Sequence, residues 1–379
     1  MAQAHEVTVF EKTPQPSPVG AGVLIQPSGL AVLQAMGLQD GLVRLGSKIE
    51  RLHGTLRSTG DQAWLGAKLL KEGWPVMDMR YSAFHAESFG LGLSRHALIS
   101  ALLSQALERG AQFRGGHDVT ELKPGQGLEG FDCTVIANGS FSQLREQAGI
   151  ASTLTPYPWG ALWMLLKDPH QAVGPVLRQW YRGAHQMLGL MPTGFHRIED
   201  LGEAPLTSLF WSVRADKVEA LRAAPLDDWK AKALSLAPQA KCFVDQIHHW
   251  DQLAWARYAD VRAPQPYRGR VICIGDAAHA MSPQLGQGSN MALMDAWYLA
   301  SCLNATSDMN SAFASYTEQR RRHLAIYQFV SKWLTPMFQA DGWLAPSLRN
   351  LTFWPGSRLP GSSRLAATLL TGYLFHPKD

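Results

Sequence analysis

Asp276 and His279 stand in the run Gly275-Asp276-Ala277-Ala278-His279-Ala280-Met281-Ser282-Pro283-Gln284-Leu285-Gly286-Gln287-Gly288-Ser289-Asn290, whose residue types suit one kind of chemistry. The apolar stretch Arg270-Val271-Ile272-Cys273-Ile274 precedes it and delivers a carboxylate to a loop. Ala277 and Ala278 are small enough to let a large ligand pass close to the backbone. Pro283 fixes φ, and Gly286 and Gly288 remove side chains, so the main chain can lie against a flat ligand. A helix then begins, and its first amides are unpaired and carry partial positive charge. Such a terminus would stabilise a ring that becomes anionic on reduction. His279 reads as a structural histidine rather than a catalytic one.

The elements that must position this loop follow from pattern. Val7 to Phe10 is a short strand ending in Glu11, and Phe131 to Ala137 is a second one ending in Asn138-Gly139. Arg270 to Ile274 is the third. Three buried strands thus end in a polar residue beside a turn, where open parallel sheets bind ligands. The spacing predicts a helix from Ser28 to Met36 that stops at Gly37. A second runs from Ser94 to Gly110, with Ser94 as N-cap and Leu98, Leu102, Leu103 and Leu107 as its stripe. A third runs from about Gly288 through Leu303. Residues 49–86 are strand-like and broken by Gly54, Gly60, Gly66 and Gly73. The segment 111–122 reads as a strand with a loop or a second strand. Residues 152–260 alternate apolar and polar positions, carry many Trp and Pro, and predict an antiparallel sheet with one helical insert near Asp227 to Leu236. The C-terminal part is helical, then proline-bearing.

Composition narrows the function classes. With 379 residues and 46% hydrophobic side chains, the chain can bury a large core. A net charge of +4 does not suggest a polyanion binder, so no nucleic-acid partner is expected. The run Arg320-Arg321-Arg322-His323 reads as a solvated helix face. Cys133, Cys242, Cys273 and Cys302 show no metal spacing, which implies reduced thiols, no metal and a cytoplasmic protein. No secretory signal and no spanning helix are visible. Trp333, Phe338, Trp343, Leu344, Phe353 and Trp354 could serve core packing or a peripheral membrane contact.

The run from Gly275 to Asn290, completed by Asp295-Ala296, closely resembles the GDAAH…P…GQG…N…DA motif of the FAD-dependent aromatic hydroxylases, flavin monooxygenases related to para-hydroxybenzoate hydroxylase. By that resemblance Asp276, reached through Gly275, binds the flavin ribityl chain. Pro283 sits on the flavin face, and the amides around Gly286, Gly288, Ser289 and Asn290 meet the pyrimidine end. Leu93-Ser94-Arg95-His96-Ala97-Leu98 resembles the family's R-x-x-L helix start, which places Arg95 at the FAD diphosphate. Val119 corresponds to a position whose backbone meets adenine, on a strand after that helix. Ala137-Asn138-Gly139-Ser140-Phe141-Ser142-Gln143-Leu144-Arg145 resembles the family's ADG-x-x-S-x-x-R. Asn138 stands where the family has aspartate; it keeps the hydrogen-bonding shape and loses the charge. Glu11, with Lys12 beside it, matches the acid on the adenosine ribose. The segment from Glu121 to Phe131 is shorter than the family's usual β-excursion. The resemblance covers essentially the whole chain, including Gly20-Ala21-Gly22-Val23.

The resemblance implies an α/β fold: a Rossmann-like FAD-binding domain (1–48, 87–150 and 264–305) interleaved with a mainly antiparallel β-sheet substrate domain (49–86 and 151–263). A helical C-terminal region (306–379) follows. The family's first strand, GxGxxG turn and helix, about 20–30 residues, would lie ahead of Met1 and are lacking here, an N-terminal truncation that would weaken FAD binding. The implied function is an FAD-dependent monooxygenase, with NADH or NADPH as reductant. It would hydroxylate a small aromatic molecule with molecular oxygen through a flavin hydroperoxide. The alternatives are another FAD-dependent reaction (reductase, dehydrogenase or halogenase-like) or a catalytically impaired relic. Trp163, Trp180, Tyr181 and Trp211 are candidates for lining the substrate site, and no catalytic residue is named among them.

Overall fold

A computed structural model describes residues 5–15, 22–57, 73–342 and 344–374. The first half of the chain contains β1 (Thr8–Glu11), β2 (Gly22–Ile25), α1 (Pro27–Ala35), α2 (Gln39–Leu45), β3 (Ser47–Ile49), β4 (Arg51–Leu56), β5 (Pro75–Arg80), β6 (Gly90–Ser94), α3 (Arg95–Glu108), β7 (Gln112–Gly115), β8 (Thr134–Ile136) and α4 (Gln143–Gln147). There follow β9 (Thr153–Lys167), β10 (Val176–Arg182), β11 (Gln186–Gly194), β12 (Leu206–Arg214), α5 (Val218–Ala223), α6 (Leu226–Leu236), α7 (Lys241–Val244), β13 (Ala254–Arg262), β14 (Tyr267–Arg268) and β15 (Val271–Cys273). The last part is helical: α8 (Asp276–His279), α9 (Gly288–Ala305), α10 (Met309–Phe338), α11 (Leu344–Gly356) and α12 (Ser362–Leu370).

The strands form four sheets. The largest has the order β13-β9-β12-β11-β10-β4-β5 and is antiparallel except where β4 joins β10. Smaller sheets are β2-β6-β3, β14-β15-β8 and the parallel pair β1-β7. Side chains alternate across the large sheet, so its two faces carry different cores. Trp180, Leu188, Leu190 and Trp211 pack on one face under α6 and α7, with Trp229 and Phe243. Tyr181, Met187, Met191 and Phe210 pack on the other with Phe338 of α10 and Leu370 of α12. Leu334 of α10 joins this second core to Met281 and Leu285, so the second face is the one turned to the 275–290 loop.

Local chemistry accounts for the helix ends. Ser94 accepts the Ala97 amide at 3.1 Å and caps α3, while Gly110 beyond its end takes φ 90°. α1 starts one residue earlier than its pattern suggests, with Pro27 in the first turn and Ser28 buried within it.

Several expectations are corrected. Leu107 is exposed and does not belong to the buried stripe of α3. β7 ends at Gly115, so Val119 lies in irregular chain rather than in a strand. The single helical insert is three helices, α5, α6 and α7. Arg320 and His323 are fully buried; only Arg321 and Arg322 face solvent. In the C-terminal region Phe338 is core, whereas Trp333 and Leu344 are exposed. Gly20, Ala21, Gly60, Gly66 and Trp343 lie outside the described residues.

Candidate cofactor and substrate site

β15 is fully buried, because every one of its residues is apolar and it is covered on both sides. It pairs in parallel with β8, and both strands deliver their loops to the same end. Gly275 then turns at φ 57°, which favours glycine, and directs its amide onto Asp295 at 2.8 Å.

Asp295, on α9, is the hub behind the loop. Its Oδ2 also accepts from His279 Nε2, and its Oδ1 accepts from Arg320 Nε at 2.9 Å. All three residues are buried. Burial pushes the Asp295 carboxyl up. The His279 and Arg320 charges, with the hydrogen bonds from His279 and the Gly275 amide, outweigh that and hold it well below the usual range. Arg320 reaches His323 Nδ1 at 2.7 Å, and His323 Nε2 donates to the Gly372 carbonyl at 2.9 Å. The network fixes the back of the loop and leaves its front open.

Asp276 is exposed at that front and makes no hydrogen bond to any described residue. Its carboxylate faces Gly288: a Cβ there would lie 3.7 Å from Oδ1. Gly286 is left-handed (φ 60°), and Pro283 is exposed. α9 begins at Gly288 with no side-chain cap, so its first amides are free for a ligand. Asn290 does not offer its side chain outward. Its Nδ2 donates to the carbonyls of Leu24 (3.2 Å) and Gly286 (2.9 Å), and its Oδ1 accepts the Gln26 amide at 2.8 Å. Ser289 is half-buried in the same turn. Gln287 Nε2 donates to the Leu370 carbonyl at 2.5 Å.

The other sequence candidates divide into two groups. Asn138 is exposed at the end of β8. The loop that follows is tied to the flavin-type loop by buried Arg145, whose Nη1 donates to Ser140 O at 3.1 Å and Ala277 O at 2.9 Å. Arg95 is exposed at the first position of α3, directly after β6, which pairs with β2. Glu11, Lys12 and Val119 stand apart. β1 and β7 form their own pair, and no hydrogen bond among the described residues joins Glu11 or Lys12 to the 275–290 loop. Glu11 Oε1 accepts from the amide and hydroxyl of Thr13, at 2.9 and 2.8 Å. Cys273, beside the site, has its thiol pushed up by burial to about 12, which makes it inert.

On the sheet face turned to the loop, the part formed by Trp163, Phe210, Tyr258 and Met191 is uncharged; the arginines beside it are engaged, Arg349 with the Met337 and Gly183 carbonyls and Arg214 with Asp216 and Asp341. Trp163 and Phe210 pair across β9 and β12 with ring centroids 4.7 Å apart. Trp163 Nε1 donates to the Tyr258 hydroxyl at 3.0 Å. Gly189 lets Phe210 lie flat on β11, since a Cβ there would meet Phe210 Cζ at 1.9 Å. Of the four aromatic candidates, Trp163 and Tyr181 are on this face; Trp180 and Trp211 are on the opposite one, in the core under α6. Phe210 and Tyr258 were missed because strand alternation separates two faces without saying which one meets the loop. Among the described residues no cluster of His, Cys, Asp or Glu could hold a metal, and no helix is long and apolar enough to cross a membrane.

An open glycine cradle, a free carboxylate and an uncapped helix terminus fit a flavin with its ribityl chain. Comparison with known proteins agrees. Residues 2–328 match the family described as FAD binding domain. The chain is 24% identical over 354 residues to 6-hydroxynicotinate 3-monooxygenase of Pseudomonas fluorescens, covering 87% of this chain and 85% of that protein. It is 27% identical over 393 residues to 2-heptyl-3-hydroxy-4(1H)-quinolone synthase of Pseudomonas aeruginosa (strain UCBPP-PA14), covering 96% and 91%. Among solved structures, 2-methyl-3-hydroxypyridine-5-carboxylic acid oxygenase superposes with a TM-score of 0.70 at 19% identity, over 96% of this chain and 89% of that one. PqsL of P. aeruginosa in complex with 2-aminobenzoylacetate superposes with a TM-score of 0.72 at 18% identity, over 91% and 93%.

Proposed function

The chain belongs to the FAD binding domain family and is an FAD-dependent monooxygenase, and from that premise we propose that it hydroxylates a small, uncharged aromatic ring, most simply a hydroxylated nitrogen heterocycle. When bound, FAD supplies hydride acceptance from NADH or NADPH and the activation of molecular oxygen. The chain's residues bind, orient and enclose. Asp276 would accept hydrogen bonds from the ribityl hydroxyls. The amides of Gly288, Ser289 and Asn290 would face the pyrimidine edge, where the partial charge of the α9 terminus favours the reduced ring. Pro283 and Gly286 would lie along the ring plane, Arg95 would meet the diphosphate, and Asn138 would border the same site. Glu11, Lys12 and Val119 would serve the adenosine end.

The observation that carries the substrate class is the uncharged face formed by Trp163, Phe210, Tyr258 and Met191. An ionised substrate would have no partner among them, whereas a flat ring would pack well. Burial pushes the Tyr258 phenol up to about 12, against the hydrogen bond from Trp163, so it keeps its proton at neutral pH. Having accepted from Trp163, it can donate that proton to a ring oxygen or nitrogen and fix the substrate's orientation. The relatives named above carry a hydroxynicotinate and a hydroxyquinolone in their names, both hydroxylated nitrogen heterocycles; hydroxynicotinate is a carboxylate, so these names support the ring and not its charge.

The test is substrate-stimulated NAD(P)H oxidation by the FAD-loaded chain, run over a panel of hydroxypyridines and quinolones. Oxygen uptake and product mass are followed in parallel. A compound that speeds oxidation and gains one oxygen atom supports the reading. A panel in which only charged benzoates or aliphatic compounds are hydroxylated would overturn it.

A further inference from the structure

A second pocket opens on the face of the large sheet turned away from the 275–290 loop. Register places Arg178 beside His53 and Trp180 beside Thr55 on β10 and β4, with Asp78 beside His53 on β5. Paired residues share a face, so Arg51, His53, Arg80, Arg178 and Arg182 all project from the side that carries Trp180. Asp78 is the only carboxylate of β4, β5 and β10, and Arg51 takes both its oxygens, at 2.6 and 2.8 Å. On these three strands the surplus is positive.

The pocket holds about 470 Å3. Its polar side is His53, Arg57 and Arg178, and its apolar side includes Trp180, Leu190 and Phe243. Arg178 donates through Nε to the Val173 carbonyl at 3.2 Å, and its terminal nitrogens meet no acceptor among the described residues. Arg57 Nη2 donates to Gln239 Oε1 at 3.0 Å across the rim. His53 is pushed down by burial first and then by Arg51, with Arg178 and Arg80 adding to it against the pull of Asp78. A ring so placed is neutral at pH 7 and can donate or accept.

We propose that this pocket binds a small organic carboxylate, its anion on the Arg178 guanidinium and its apolar body against Trp180, Leu190 and Phe243. Guanidinium presents paired donors that match a carboxylate, and a polar end joined to an apolar wall is the usual form of a small-ligand site. Trp180 and Tyr181 alternate across the sheet, so a ligand here is separated from the loop by the sheet itself. It is therefore an accessory ligand, not one that is oxidised. The proposal does not rest on the flavin chemistry.

Benzoate is the probe, with benzyl alcohol as its uncharged counterpart, titrated calorimetrically into the full chain with flavin absorbance followed in parallel. Benzoate should bind, benzyl alcohol about tenfold or more weakly, and Arg178→Gln or Arg178→Met should each weaken benzoate by about tenfold. The flavin spectrum should not move. No benzoate heat at about 10 mM, equal binding of the alcohol, or undiminished binding in both variants would overturn the proposal. So would a flavin shift that tracks the binding, since it would place benzoate on the other face. If one variant does not fold by circular dichroism, the other decides. The chain as purified gives the same contrast, so failure to take up FAD would count against the proposed function and leave this test intact.

Discussion

Arg320 Nε lies 2.9 Å from Asp295 Oδ1, and both side chains are fully buried. The pair joins α10 to α9 behind the loop, and the same carboxylate holds Gly275 and His279. Removing one partner strands a buried charge. Arg320→Met should cost about 3–5 kcal/mol in urea unfolding, whereas Arg321→Met or Arg322→Met, on the solvent side of the same run, should change stability by under about 0.5 kcal/mol. Equal effects at 320 and 321 would refute the hub.

The same carboxylate gives the pH dependence a sign. Its folded value is depressed, so its stabilising contribution is complete above the unfolded value, about 3.9, and is lost as pH falls from there toward the folded value. Unfolding free energies between about pH 5 and pH 3 should therefore fall more steeply in the wild type than in Asp295→Asn, by up to about 1.4 kcal/mol per pH unit at the low end. Parallel slopes would show that Asp295 titrates alike in both states.

Asp276 has the opposite character: it is exposed and makes no bond to a described residue. Asp276→Ala should leave the melting temperature of the flavin-free chain within about 1 °C. It should also weaken FAD binding by about tenfold or more, the worth of one charge-assisted hydrogen bond. Fluorescence titration with FAD measures this. An equally strong loss of apo stability would assign Asp276 to the fold instead.

Gly288 separates cradle from helix. Its Cβ direction is open except for Asp276 at 3.7 Å, so Gly288→Leu should fold and yet exclude the ring. Loss of flavin absorbance after desalting, with far-ultraviolet circular dichroism unchanged, is the expected outcome; retention of flavin would place the ring elsewhere.

Gly189 and Phe210 should behave as a coupled pair. Gly189→Ala drives a methyl into the Phe210 ring, at about 1–3 kcal/mol, and Phe210→Ala opens a cavity, at about 3–5 kcal/mol. In the double variant the clash is gone, so the cost should be less than the sum by about 1 kcal/mol or more. Strict additivity would mean the two do not touch.

The 275–290 loop was legible because small residues, proline and glycines in that order have few other uses, and because a strand and a helix bracket them. The antiparallel sheet was legible from alternation. What alternation cannot give is the identity of each face. Trp180 and Tyr181 are neighbours in sequence and lie on opposite sides, and only the contacts of Phe338, Leu334 and Leu285 show which side meets the loop. The run 320–323 misled for a related reason. Four polar residues look like a solvated surface unless a distant carboxylate, Asp295, is known to wait for two of them. Glu11 shows another limit: a strand ending in an acid is recognisable, but the hydrogen bonds to Thr13 that occupy one of its oxygens depend on a turn that pattern does not specify.

Gln287 donates to the carbonyl of Leu370, Ser28 donates its amide to that of Thr371 at 3.0 Å, and His323 donates to that of Gly372. Three parts of the cofactor side thus close onto one short stretch near the end of the chain. During synthesis that stretch leaves the ribosome after every other element of the site. Flavin capture should then wait for that stretch to emerge. Arrested nascent chains ending before Leu370 should hold no flavin, while full-length chains released from the same ribosomes should.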